Sequence, residues 1–303
     1  MKLSQNVMLG IAAGLVTALI GASWQVVSRS ASLTALGPIE LATLRYAVPA
    51  LLLLPITWRV GLLPKNVSLT TLLLLVCGSG LPFGLLAFAG TRFAPVAHMG
   101  VMIAATGPLI TAALLWLIDR SRVSRSRCVG LLLIACGVVL MGANSLTASS
   151  HAWIGDILFL LAAIAWGGYG IAFRKSNLSP WQAAAIVNTW SALLLLPIVV
   201  FYGVDGFFKV APATLIVQFF FQGVLAGVFG LVTYTFAVRQ LGAASAAAFG
   251  ALVPVLSALG GWLILSEAIT ALVAVAALVA TAGVVFALGW FESSLQVRVR
   301  KPD

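Results

Sequence analysis

The chain has 303 residues, of which 62% are hydrophobic and 8% charged. No soluble domain of this size has interior enough to hide so much apolar surface, so the composition points to the lipid bilayer as its surroundings. Seventeen Lys and Arg oppose seven Asp and Glu, a formal charge of +10; most of the bases fall in short loops between apolar runs, and the excess is not a nucleic-acid signal.

A helix that crosses a bilayer needs about 20 mostly apolar residues. Ten such runs are expected, at 6–28, 38–58, 68–89, 95–118, 127–143, 153–173, 181–202, 213–237, 242–265 and 270–290. Breakers such as Gly37-Pro38, Gly61, Asn144 and Ser179-Pro180 separate them. The first run, Val7 to Val27, is too long for the apolar core of a cleaved signal peptide. Gly80, Pro82 and Gly84 in the third run, and Gly223, Gly227 and Gly230 in the eighth, are expected places for bends. Cys77, Cys128 and Cys136 lie in or beside apolar runs without CxxC spacing, so buried, inert thiols are expected and not a disulfide framework. The sequence has no HExxH, P-loop or GxGxxG, and neither a cofactor nor a metal site is expected. Residues 292–303 form a short basic end.

The runs repeat. A shift of 146 residues carries Pro108 onto Pro254, Trp116 onto Trp262, Phe83 onto Phe229, Gly84 onto Gly230 and Gly137 onto Gly283. Nearer the start a shift of 142 carries Trp24 onto Trp166, Pro38 onto Pro180 and LLLLP at 51–55 onto LLLLP at 193–197. Two copies, 1–146 and 147–291, followed by the tail 292–303, account for the chain. With the N-terminus placed inside, thirteen of the seventeen Lys and Arg fall on that side, three (Arg29, Arg92 and Lys209) on the other, and Arg45 within the second run. This bias puts both termini in the cytoplasm. Five runs per copy is an odd number, so the copies insert in opposite directions.

From Gly230 to Gly289 the ordered set Tyr234, Ala237, Leu241, an Ala/Ser run, Pro254, Trp262, Glu267 and Gly283-Val284 resembles the EamA-type drug/metabolite transporters. The resemblance implies an all-α integral membrane fold of ten transmembrane helices arranged as two inverted five-helix repeats. It also implies a secondary transporter, more often an exporter, that works by alternating access in the plasma (bacterial inner) membrane, and not an enzyme. Amino acids or similar small metabolites are the expected substrates, with hydrophobic cations and drugs as the alternative. Besides the substrate and the lipid bilayer, a coupling proton is a candidate partner; nucleic acid is not, and monomer and homodimer both stay open. The first copy departs from the pattern where Glu267 falls on Ser121.

Inverted repeats place their site where equivalent helices of the two halves meet. The first and sixth helices carry Trp24 and Trp166, with Tyr169 one turn on. The third and eighth carry Phe88 and Tyr234, with Gln222 toward the other end of the eighth. These side chains are expected around one central cavity, with His98 and Met102 of the fourth helix at its outer part. Ionisable groups at membrane depth are costly and mark function by default. Arg45 in the second helix is a candidate to attract a carboxylate, against a structural role on backbone carbonyls. Asp156 and Glu267 begin the sixth and tenth helices, where an acid favours the helix dipole; capping is expected, with charge sensing as the alternative. An intramembrane enzyme has only Ser23 and His98 to offer, without a convincing partner arrangement.

Overall fold

In a bilayer core no water pairs with an exposed backbone N–H or C=O, so an apolar run must satisfy its own backbone by coiling. A computed structural model describes residues 5–65, 67–120, 124–147, 151–242, 245–246 and 249–287, and these are helical, with no strand among them. The basic end expected at 292–303 lies outside the described residues.

In chain order the apolar helices are α1 (Gln5–Ser32), α2 (Pro38–Leu52 and Leu54–Val60), α3 (Leu69–Gly90), α4 (Val96–Leu114), α5 (Arg125–Leu146), α6 (Ala152–Ser176), α7 (Pro180–Tyr202), α8 (Pro212–Leu241), α9 (Phe249–Leu265) and α10 (Ala271–Ala287). Among the described residues, seven of these are long and apolar enough to cross a membrane; α2 is a bent pair, and α9 and α10 are shorter.

The two parts of α2 meet at 66°. Pro55 has no N–H and its ring crowds the preceding turn, and Leu53 leaves helical geometry at φ −95° and ψ 5° while its own N–H still donates to Pro49 O at 2.8 Å. A single straight helix over 38–58 is therefore not what forms. α3 breaks at Gly80 (φ −96°, ψ −149°), between Leu69–Ser79 and Leu81–Gly90. Neighbouring helices brace the break: Leu81 N–H, freed by it, donates to Ser191 Oγ at 3.0 Å, and the Tyr46 hydroxyl donates to Gly80 O at 2.6 Å, which also accepts Gly84 N–H at 3.0 Å. α8 is π-helical over Phe219–Gly230, and shorter wide turns occur at Thr43–Ala47 in α2 and Gly100–Ala105 in α4. Such turns rotate the residues that follow onto a different face and cluster at functional sites.

Close approach of backbones, and not hydrophobic exclusion, drives helix association in lipid. α5 and α10 show this most plainly. A methyl group at Gly137 would stand 2.7 Å from Ala280 Cβ, and one at Gly283 would stand 2.6 Å from Ile134 N, so only hydrogen fits at either position. On α1 the buried stripe Gly10, Gly14, Ala18, Ala22, spaced four apart, lets Leu241 and Phe249 lie against the helix. The three cysteines, expected to be buried, are instead free thiols on the outer surfaces of α3 and α5, where a small apolar side chain meets no neighbouring helix.

Gly137→Leu and Gly283→Leu should each push α5 and α10 apart at an overpacking cost of roughly 1–3 kcal/mol. Thermal unfolding in detergent checks this: both variants should melt lower than Gly142→Leu, whose position has open space around it. Equal melting of all three would contradict the packing.

Candidate functional site

A cavity of about 140 Å³ lies between the two halves of the chain. From the first half, α1 contributes Thr17, Gly21, Trp24 and Gln25, α3 Phe83, and α4 Ile103, Gly107 and Thr111. From the second, α6 contributes Trp166, α8 Ala226, Gly230 and Tyr234, and α9 Phe249, Gly250 and Val253. The helices are the repeat-related pairs α1/α6, α3/α8 and α4/α9. Outside these pairs α2 contributes one residue, Arg45.

The wall is aromatic. Trp24 stacks on Phe83 at 5.8 Å between centroids, Phe83 meets Trp166 at 5.4 Å, and Trp166 meets Tyr234 at 5.1 Å. All are separations at which ring quadrupoles attract. A second layer backs the first: Tyr169 stacks on Trp166 at 5.4 Å and on Tyr234 at 6.1 Å, and Phe88 stands edge-on to Trp24 at 5.9 Å.

Hydrogen bonds fix the orientation of Trp24. Its Nε1 donates to Gln222 Oε1 at 2.7 Å, and Gln222 Nε2 donates to Ser28 Oγ at 2.9 Å and to Gln218 Oε1 at 3.2 Å. Gln218 Nε2 donates to Val27 O at 2.9 Å. The two amides, four apart on α8, share a face and tie it to α1. Gln222 therefore stands behind the wall and holds it. Nearby, Ser257 Oγ on α9 donates to Gln25 Oε1 at 2.7 Å.

Of the residues expected at the cavity, Trp24, Trp166 and Tyr234 line it, while Phe88, Tyr169 and Gln222 are fully covered behind it. His98 and Met102 do not line it. The wide turn at Gly100–Ala105 rotates α4, so that Ile103 and Ala104 face the cavity and Met102 is packed into the core. His98 sits instead in a buried cluster between α4, α5 and α6. Its Nδ1 lies 2.9 Å from Asp156 Oδ1 and 3.2 Å from Ser145 Oγ, and the Ser145 hydroxyl donates to Asp156 Oδ2. A nucleophilic serine would pair with the far ring nitrogen of the histidine; here serine and histidine share one carboxylate, so the cluster lacks that arrangement.

The capping expected of the two acids is corrected. Asp156 lies inside α6 and is occupied by His98 and Ser145. Glu267 does cap a helix, but not α10: its Oε2 accepts Val96 N–H at 2.9 Å, at the start of α4, and its Oε1 accepts Arg29 Nε at 2.8 Å. Arg29 Nη1 also donates to Thr91 O, so one network ties α1, the α3–α4 turn and the segment after α9 at the end away from the N-terminus. Phe83, Gln25 and Phe249 belong to the lining but were not singled out from sequence; for Phe83 the signal was its repeat match to Phe229. That match does not predict orientation, because Phe229 faces outward against Trp181. Among the described residues, no group of three or more His, Cys, Asp or Glu converges on a possible metal position.

Arg45 is the one charged residue in the lining. It is 5% exposed, its guanidinium carbon lies 5.4 Å from the Tyr46 ring centroid, and neither Nε nor Nη1 has a hydrogen-bond partner. It does not bind backbone carbonyls through these atoms, and its side chain is buried among the helices.

The model of the EamA-like transporter family matches residues 8–143 and, a second time, 153–289. A solved structure, described only as the crystal structure of a protein, aligns over 99% of this chain and 99% of its own with a TM-score of 0.63 and 18% sequence identity, a likeness of fold alone. No curated protein matches the sequence.

Gln222→Leu removes the acceptor of the Trp24 N–H and leaves a buried donor unpaired, a loss of roughly 1–3 kcal/mol. Thermal unfolding in detergent should show the lower stability. The variant's tryptophan emission should change as well, since Trp24 is released from its orientation. Unchanged melting and emission would contradict the assigned pairing.

Proposed function

The chain belongs to the EamA-like transporter family, and from that premise we propose that it is a secondary transporter that moves small metabolites, with export as its direction, by alternating access through the cavity between its halves. It is an integral membrane protein, and its family consists of transporters of the drug/metabolite superfamily. The observation that carries the finer reading is the aromatic wall built by equivalent helices of both halves, Trp24 and Phe83 from one and Trp166 and Tyr234 from the other.

In this reading ten helices cross the membrane as two inverted repeats, 1–146 and 147–291. The long helices, the bent α2 and the shorter α9 and α10 all occupy expected runs, which supports the count. The Lys/Arg bias supports both termini in the cytoplasm, and a bacterial inner membrane is the proposed location. Trp24, Trp166 and Tyr234 touch the substrate. Phe88, Tyr169 and Gln222 hold them in place. The Arg29–Glu267 pair ties the halves at the outer end and must part when the cavity opens there.

Small amphipathic metabolites such as amino acids suit a cavity of this size with an apolar wall and a few polar groups, Thr17, Gln25 and Thr111. Hydrophobic cations suit it less. Their attraction to the rings, roughly 0.5–2 kcal/mol each, is opposed by Arg45, a like charge in the same lining. For a coupling proton, the buried His98–Asp156 pair beside the cavity is the proposed carrier.

Counterflow of labelled amino acids into proteoliposomes tests the reading. Trp166→Ala should lower flux at least about 10-fold, the equivalent of one lost contact of about 1.4 kcal/mol in each substrate complex. Trp262→Ala, on the outer surface of α9, should leave flux unchanged. No counterflow by the wild type, or equal loss in both variants, would contradict the proposal.

A further inference from the structure

Burying a charge is tolerable when it is paired and costly when it is not. A guanidinium cannot escape by losing its proton. Arg45 is buried and faces the cavity, yet Nε and Nη1 find no protein acceptor. Glu40, Glu267 and Asp156 are engaged elsewhere. Glu40 accepts from Gly37 N–H and Gly206 N–H, both at 3.0 Å, and the two ion pairs among the described residues are Arg29–Glu267 and His98–Asp156. A native buried polar group without a partner calls for one from outside the chain.

From this, resting on the transporter reading above, we infer that Arg45 holds the carboxylate of an organic substrate whose apolar part lies against the aromatic wall. The guanidinium presents a planar fork that matches a carboxylate with two parallel hydrogen bonds. Its position is fixed. It rises from the wide turn Thr43–Ala47, next to the ring of Tyr46, whose hydroxyl is anchored on Gly80 O. Behind it, α2 lies close on α8, where a methyl group at Gly227 would meet the carbonyl oxygen of Arg45 at 3.1 Å. A single positive charge in an otherwise uncharged lining balances one negative charge, which favours a monocarboxylate over a dianion such as sulfate.

The full-length protein in detergent tests this with four probes: 3-phenylpropanoate, its neutral amide 3-phenylpropanamide, phenylalanine and sulfate. Affinity is read from tryptophan fluorescence and from the shift in melting temperature. The wild type should bind the two carboxylates at least about 10-fold more tightly than the amide, the usual worth of a charge-assisted pair, and more tightly than sulfate. Arg45→Gln should lose this preference, and Arg45→Lys, a point charge without the fork, should keep part of it. Equal affinity of the wild type for acid and amide overturns the inference, and so does an undiminished preference in Arg45→Gln. Tighter binding of sulfate than of either carboxylate also overturns it, because the site then serves inorganic anions. Should Arg45→Gln not fold, the acid-against-amide comparison in the wild type decides alone. Proteoliposomes separate the two levels of the account. Exchange of amide and acid at equal rates removes the role of Arg45 and keeps transport. Carboxylate binding without exchange of any solute keeps the site and removes transport.

Discussion

Lipid offers a stray polar group no water to pair with, and the structure answers this constraint at its irregular points with partners from neighbouring helices. Where Gly80 breaks α3, Ser191 of α7 supplies the partner that Leu81 N–H lacks, and the Tyr46 hydroxyl of α2 adds a second bond to Gly80 O. Where Trp24 turns its N–H away from the cavity, Gln222, Ser28 and Gln218 form a closed chain of bonds between α1 and α8. Where α4 begins without a cap of its own, Glu267 reaches it from the far side of the other half. Against this background Arg45 stands out: Ser79 Oγ, the Tyr169 hydroxyl and Asn188 Oδ1 are also buried without a partner, but among the described residues Arg45, through Nε and Nη1, is the charged one. A fold that satisfies the backbone at a helix break does not leave a formal charge unpaired by oversight, and the charge faces the cavity between the two halves.

The same rule explains the distribution of rigidity. Small residues let α5 and α10 lock together through Gly137 and Gly283, at the periphery of the molecule and away from the cavity. The irregular helices are among those that line the cavity: α3 is interrupted, and α4 and α8 carry wide turns, while α1 and α6 run unbroken. α2, which supplies Arg45, is bent at Leu53 and wide-turned at Arg45 itself. A helix whose backbone bonds are partly made to neighbours has a second arrangement within reach at small cost, which fits the proposed alternating access.

The sequence made the fold legible because Trp and Pro recur in order through Leu-rich segments. Trp24 with Trp166 and Pro108 with Pro254 pin the copies, and with them the helix pairs that face each other. Trp24, Trp166 and Tyr234 share the lining, because an amphipathic ring in such a pair has few other places to go. Orientation within a helix was harder to read. His98 and Met102 were expected at the outer part of the cavity, but α4, wide-turned at Gly100–Ala105, presents Ile103 and Ala104 there. Long-range pairing was not legible at all. Nothing local tells Asp156 that its partners are His98, 58 residues away, and Ser145, or tells Glu267 that it will cap a helix starting at Val96. Both acids sit near a helix start, so the local rule of capping was the natural expectation, and tertiary contacts overrode it.

The central claim is that the two halves move against each other around the cavity. The ends of α1 and α9 near the Arg29–Glu267 pair offer the most direct test. A Cβ at Gly260 would lie 3.8 Å from Val26 Cβ, the usual span of a disulfide. With Cys77, Cys128 and Cys136 replaced by serine, Val26→Cys and Gly260→Cys can be oxidised in proteoliposomes and the cross-link verified by mass. The account predicts that the cross-linked protein stops counterflow and that a reductant restores it. Continued counterflow through fully cross-linked protein would contradict it.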